Sequence, residues 1–548
     1  MKSLRSPRVR RLPLSGVLRA GRPSEIWFKP ALSVIAATAP PNLALLALDR
    51  LDLAMYAMAG SLCALYAHNR PYAARARALA GVVLGMVGGL AVALVVASLT
   101  ADAVVLVTVG ALLAAVQKVL CDATRIGPPA HVIFTFVTSA ALFAPQTLGQ
   151  VPGHLALAAA TGAWAWLVCM APGLVRPYGP ERRATAQALN AAALHVEAVA
   201  RVAVGAARGG TSQAEGPRTR GAAAAAVHNA WQILRSTGRR TEPRRALAQL
   251  LTRAEVALAA PGDTDAGQLR SWARELLSGR PVPNVEGHGE PTELPTTSTA
   301  LWRTLGPLAL RTGLGCALAG YASLALGVGR PYWALVTAAS LYQANVTLTW
   351  SRGVQRVAGN LVGVLLFAVI VPLAHLHAAA LVLCCLALNF GAEALISRNY
   401  WLGTICVTPL ALLVTEFAHL ENPGELITDR LADTVVGALV GLAAAIAVTN
   451  RRAGERVEQA LTAVERAREH TARTATDTRS APGALDSARR ALAAALVELR
   501  VTTEAAAGEW WQRDLPTDRV THAEAAAHRT LAATVRRHGW DVAEGARA

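Results

Sequence analysis

The stretch Gly327–Gly363, GVGRPYWALVTAASLYQANVTLTWSRGVQRVAGNLVG, decides the class of fold. Two apolar runs flank a short polar turn that carries Arg352 and Arg356. A chain that enters a bilayer as an apolar run, turns on basic residues and leaves again reads as a membrane hairpin. A weaker copy lies upstream, where Ala59-Gly60-Ser61-Leu62 reads against Ala338-Ala339-Ser340-Leu341. After each come a polar turn, two arginines and a Gly-x-x-x-Gly pair. The first copy has Arg75, Arg77, Gly81 and Gly85; the second has Arg352, Arg356, Gly359 and Gly363. Small residues at that spacing let two membrane helices approach closely. The shared order predicts an internal duplication.

Composition agrees. Of 548 residues 53% are hydrophobic and only 16% charged, and the mean hydropathy is +0.35. Such a chain is too apolar for a soluble protein and too interrupted for one long core, which leaves a polytopic membrane protein. The formal charge of +17 would suggest nucleic acid if the arginines shared one soluble face. They lie instead in the N-terminal arm, in alternate short loops and in two hydrophilic regions, the distribution of a chain oriented by cytoplasmic positive charge. The seven cysteines fall in or beside apolar runs without metal spacing and read as small buried hydrophobes.

Residues 1–27 form a basic arm. The first membrane module, 28–172, holds six apolar runs, at about 28–48, 53–67, 79–99, 103–116, 130–144 and 155–170. Several fall short of the ~20 residues that a perpendicular span needs. The first run is read as a retained helix kinked at Pro40-Pro41. Residues 173–304 turn hydrophilic, with apolar residues at helical spacing (Leu247, Leu250, Leu251, Leu258), and predict a helical cytoplasmic domain with flexible gaps at 208–221 and 279–297. A second module, 305–449, again holds six runs, and 450–548 is a helical tail whose Leu492, Leu496 and Leu499 form a stripe suited to packing on the middle domain. The expected fold is all-α, with about twelve transmembrane helices in two six-helix parallel repeats and both termini in the cytoplasm.

Arg311, Gly329-Arg330-Pro331-Tyr332-Trp333-Ala334, Gln343, Arg352, Arg356 and Gly359-x-x-x-Gly363 resemble the fusaric acid resistance family, known also through its aromatic acid exporters. The likeness continues through Asn399-Tyr400-Trp401, Thr408-Pro409-Leu410 and Arg430-Leu431-Ala432-Asp433-Thr434. It covers residues 305–449 well and 28–172 loosely; the first module lacks a counterpart to Tyr332-Trp333. The resemblance implies an inner-membrane exporter of small organic acids. The plant aluminium-activated malate channels have a similar module, so anion movement is implied more firmly than active export.

Charges within an apolar span cost about 2.5–3.5 kcal/mol each and need a reason. Arg311, Arg330, Trp333, Gln343, Arg352 and Arg356 are the candidates for binding or passing the substrate. For Arg311 the competing account is snorkelling from the first turn of its helix, for Trp333 an interfacial anchor, and for Arg356 a topological charge. A guanidinium there could grip a carboxylate through two parallel hydrogen bonds. Arg430 and Asp433, three apart on one helical face, suit either a structural ion pair or proton coupling, and Glu393 is a weaker coupling candidate beside Arg398. His375 and His377 find no partners for a metal site. No phosphate loop and no nucleophile motif occurs, so neither an enzyme nor a cofactor is expected. The partners implied are small organic anions and the lipid bilayer, with a homo-oligomer allowed. The leading function is secondary export; a passive organic-anion channel and a membrane scaffold or sensor are the alternatives.

Overall fold

The computed structural model describes residues 8–9, 12, 14–21, 27–207, 215–236, 241–283, 301–417, 420–448, 453–477, 483–509, 511–512 and 515–545. The chain is an all-helical, multi-pass membrane protein. Its first membrane half comprises α1 (Phe28–Ala47), α2 (Ala54–Ser61, flanked by 3-10 turns), α3 (Tyr72–Leu99), α4 (Ala103–Ala123), α5 (Val132–Leu142) and α6 (Val151–Met170). After a single turn, α7 (Pro172–Val175), the extramembrane domain follows as α8 (Gly179–Ala207), α9 (Glu215–Arg235), α10 (Glu242–Ala259) and α11 (Ala266–Leu277). The second half comprises α12 (Leu301–Ala325), α13 (Pro331–Leu341), α14 (Val346–Ala374), α15 (Ala378–Ile396), α16 (Tyr400–Thr415) and α17 (Pro423–Ala447). A C-terminal bundle of α18 (Ala453–Thr476), α19 (Ala484–Ala507) and α20 (Thr517–Gly545) completes it. A two-residue strand β1 (Arg8–Val9) pairs antiparallel with β2 (Trp511–Gln512), tying the N-terminal arm to that bundle.

Local chemistry sets the helix starts. Asp102, Asn345 and Asn422 cap α4, α14 and α17, each accepting a backbone N–H from the first turn at 2.8–3.0 Å. α1 runs on through Pro40 and Pro41.

The two halves hold six helices each, of unequal length. Among the described residues seven helices are long and apolar enough to cross a bilayer: α1, α3, α4, α6 with its flanking turns, α14, α15 and α17. α2, α5, α13 and α16 are short. At 1.5 Å per residue, eleven-residue α5 and α13 reach about 16 Å, roughly half of a hydrocarbon core. α13 can afford this because all of its residues are buried by other helices.

The two halves pack alike. α1 meets α2 and α6, α2 meets α6, and α3 meets α5 and α6; likewise α12 meets α13 and α17, α13 meets α17, and α14 meets α16 and α17. Between halves the contacts are reciprocal, α4 on α12 and α1 on α15, with α5 near α13 and α2 near α16. The glycines explain the closest approach. A Cβ at Gly359 would stand 2.6 Å from Thr404 Cβ, and one at Gly363 2.7 Å from Thr408 Cβ, so only glycine lets α14 lie this near α16. In the first half the expected pair is shifted. Gly81 faces open space, whereas Gly85 and Gly89 abut Phe134 and Thr138 of α5 at 3.3 and 3.0 Å. Gly85 and Gly89 are the fourteenth and eighteenth residues of α3, as Gly359 and Gly363 are of α14.

Outside the membrane, Leu247, Leu250 and Leu251 are buried with Leu189 and Trp231 in one core. Residues 215–221, expected in a flexible gap, are the first turns of α9; residues 208–214 and 284–300 lie outside the described set. Leu492, Leu496 and Leu499 pack on Val457, Leu461 and Val464 of α18, giving the C-terminal bundle its own core instead of covering the middle domain. The two units are joined by polar contacts. Glu255 accepts from Trp231 Nε1 at 2.7 Å and from Arg489 at 3.0 Å. Burial raises the Glu255 carboxyl above its ordinary value, opposed by the nearby guanidiniums.

Candidate functional site

Between the halves lies a cavity of about 1730 Å³. Residues of the short helices α2, α5, α13 and α16 line it together with residues of α14 and α15. Its cationic lining includes Arg70, Lys118, Arg125, Arg352, Arg356 and Arg430; its acids are Asp122 and Glu393. Asp122 is taken up by Lys118 at 2.9 Å, and Glu393 makes no ion pair among the described residues, so the expected neutralisation by Arg398 is absent. An anion is what such a lining favours.

The centre of the site is Tyr400. Arg356 Nη1 donates to its hydroxyl at 3.0 Å, and the Arg352 guanidinium lies over its ring, 3.2 Å from the centroid. Arg356 is 4% exposed, and the Nε atoms of both arginines are buried without a partner. Unmet donors of this kind are costly in an apolar setting, and a carboxylate is the group that satisfies them. Gln343 also lines the cavity, its backbone N–H held by Thr349 Oγ1 at 3.2 Å.

Arg430 stands deeper, 1% exposed. It donates from Nε to Asn360 Oδ1 at 3.2 Å and lies 5.0 Å from the Trp333 ring centre, while its Nη1 has no partner. Asn360 is held by Thr408 (2.8 Å) and by the Arg356 carbonyl (2.9 Å), which links the two arginine positions through one amide. The expected Arg430–Asp433 pair does not form. Asp433 accepts from Ser323 at 2.6 Å and keeps a buried, unpartnered Oδ2. The two side chains leave their helix toward different neighbours, so sharing a face did not make them partners.

Trp333 is fully buried, not interfacial. Arg430 lies on its cavity side; Arg330, 5.2 Å from the ring centre, is absent from the cavity lining. Arg330 is engaged by Glu421 and by Asp429 at 3.8 Å. Arg311 is the eleventh residue of α12, well past the first turn, and is 4% exposed. It reaches Thr349 Oγ1 at 3.4 Å and Tyr342, 5.5 Å from the ring centre, so it is a core residue and not a snorkelling one. His375 Nε2 donates to Glu416 at 3.1 Å, and His377 caps α15.

Residues 317–444 match the family model described as fusaric acid resistance protein-like. A 179-residue segment is 31% identical to the uncharacterized membrane protein YvaC of Bacillus subtilis (strain 168), covering 31% of this chain. The chain thus spans only 28% of the length of that relative. No solved structure matches.

Within the fusaric acid resistance-like half, sequence reasoning named the arginines but not their partners. Tyr400 stands within a quoted motif and Asn360 within the quoted hairpin, but nothing in a linear spacing aims them at Arg356 and Arg430. The N-terminal arm is the other surprise. The Val17 carbonyl accepts from Gln355 and Asn399, and the Leu18 carbonyl from Trp401, at 2.9–3.1 Å. The arm thereby lies against Gln355, a lining residue of the cavity next to Arg356 in sequence.

Proposed function

We propose that this protein is an inner-membrane secondary transporter that exports small organic acids, aromatic ones foremost. Both termini and the extramembrane helices face the cytoplasm in this reading, because the arginine-rich loops share their side. One observation carries it. A cation-lined cavity lies between the membrane halves and reaches the extramembrane helix α9, while Arg330, outside that lining, is engaged by Glu421 and Asp429. A buried cationic site held between two membrane halves suits a carrier that alternates, and favours it over an open anion channel.

In the transport step, the cargo carboxylate docks on Arg352 and Arg356, and its ring lies by Tyr400. Arg430 then offers the next guanidinium, with Asn360 bridging the two positions. Asp433, with one oxygen held by Ser323 and the other unpartnered, is the candidate proton-coupling group. The parallel six-helix relation between halves, about an axis along the membrane normal, belongs to the same proposal.

The test is uphill efflux of labelled benzoate from cells that overproduce the protein, with and without an uncoupler. Export that stops with the uncoupler is the expected result. Flux that merely follows the gradient selects a channel, and no flux overturns the transport reading.

A further inference from the structure

The cavity is not walled by membrane helices alone. Ala225, His228, Asn229, Gln232 and Ile233 of α9, with Ser236 just beyond, line it too. Their spacing of three, four, seven, eight and eleven from the first places them on one helical face. The opposite face of α9, with Ala223, Val227, Ala230, Trp231 and Leu234, is buried in the core of its own domain. α9 is therefore amphipathic between two interiors, a protein core and a cavity, and its cavity face carries uncharged hydrogen-bonding groups. His228 and Gln232 meet each other at 3.1 Å, and Asn229 and Gln232 are exposed. The face is anchored to the first membrane half where the Ser236 carbonyl accepts from Arg77 at 3.5 Å.

Positive charge predominates around this face. His228 lies within electrostatic reach of Arg125, Arg235 and Glu498, and burial keeps it below its ordinary pKa, so it stands as a neutral donor and acceptor. The cations that attract an anion are on the membrane helices. The groups that can tell one anion from another by its neutral substituents are on α9. A wall built to hydrogen-bond a hydroxyl rejects an analogue lacking it more strongly than an apolar wall can.

We propose that the cavity face of α9 sets cargo specificity, with Asn229 and Gln232 recognising an uncharged hydrogen-bonding substituent on an organic anion whose carboxylate is taken by the membrane arginines. This rests on the transport reading, and it makes the extramembrane domain a part of the transport path instead of a remote appendage.

Two measurements test it. Efflux of 3-hydroxybenzoate and benzoate is compared in the wild type and in an Asn229→Leu, Gln232→Leu double variant of equal abundance. The wild type is expected to favour the hydroxylated acid, and the variant to lose about tenfold of that preference while still exporting benzoate. Separately, a cysteine at Ser236 in purified full-length protein is labelled with a thiol reagent, and 3-hydroxybenzoate is expected to slow labelling more than benzoate does. An unchanged preference in the double variant at equal abundance overturns the proposal, as does labelling that neither acid slows. If the cells export neither acid but labelling is slowed selectively, the α9 site stands and the transport reading fails.

Discussion

The two membrane halves share a framework and differ in chemistry. α3 and α14 place glycines at the same helical positions, and each uses them to approach the fifth helix of its half. At other matched positions the halves part. The seventh and eleventh residues of α14 are Arg352 and Arg356; those of α3 are Ala78 and Val82. The eighth and eleventh residues of α17 are Arg430 and Asp433; those of α6 are Ala158 and Thr161. The halves thus share contacts that hold helices together, while Arg352, Arg356, Arg430 and Asp433 have no charged counterpart at the matched positions of the first half, although that half buries Arg75 elsewhere on α3.

The packing side of the comparison gives the largest effect. Gly359→Leu would drive a side chain into Thr404 and the Trp401 carbonyl, and is expected to abolish folded protein in the membrane. Gly81→Leu, in open space, is expected to leave abundance within about twofold. Quantifying both by fluorescence size-exclusion decides the matter; equal losses would mean that the glycine registers are misassigned. Next comes Arg430→Gln, which removes a buried guanidinium that has no counterpart at the matched position of the first half. Loss of a charge-assisted contact of about 2–3 kcal/mol predicts efflux reduced about 30- to 150-fold at normal abundance. Asp433→Asn has the smaller effect. It keeps a partner for Ser323 and removes the ionisable group, so uphill efflux should fall about tenfold while exchange of labelled for unlabelled cargo persists. If exchange and uphill efflux fall together, Asp433 is structural.

Much of the framework was legible because hydrophobic runs, glycine spacing and basic loops are local signals. The length of helices was less so, since α13 is short for a reason that lies in its neighbours: a helix buried on every side needs no lipid-matching length. The arginines were legible because charge in an apolar run is conspicuous. Their partners were not. Asn360, Tyr400 and Ser323 are ordinary polar residues until the fold aims them, and the Arg430–Asp433 pairing failed because spacing along a helix says which face a side chain leaves from, not which neighbour it meets. The Gly81–Gly85 pair failed for a similar reason, the motif being satisfied twice in α3 while only the later pair faces α5. The N-terminal arm and the cavity face of α9 depend on contacts hundreds of residues apart and left no mark in the sequence.

That Arg352 and Arg356 grip the anion is tested most directly by titrating purified protein with benzoate and following binding by calorimetry. Arg356→Lys keeps the charge but cannot reproduce a two-pronged guanidinium contact, so affinity should fall about tenfold, or about 1.4 kcal/mol. Arg77→Lys, at the exposed start of α3, should bind as the wild type does. Equal affinity in Arg356→Lys and the wild type, or a matching loss in Arg77→Lys, would contradict the account.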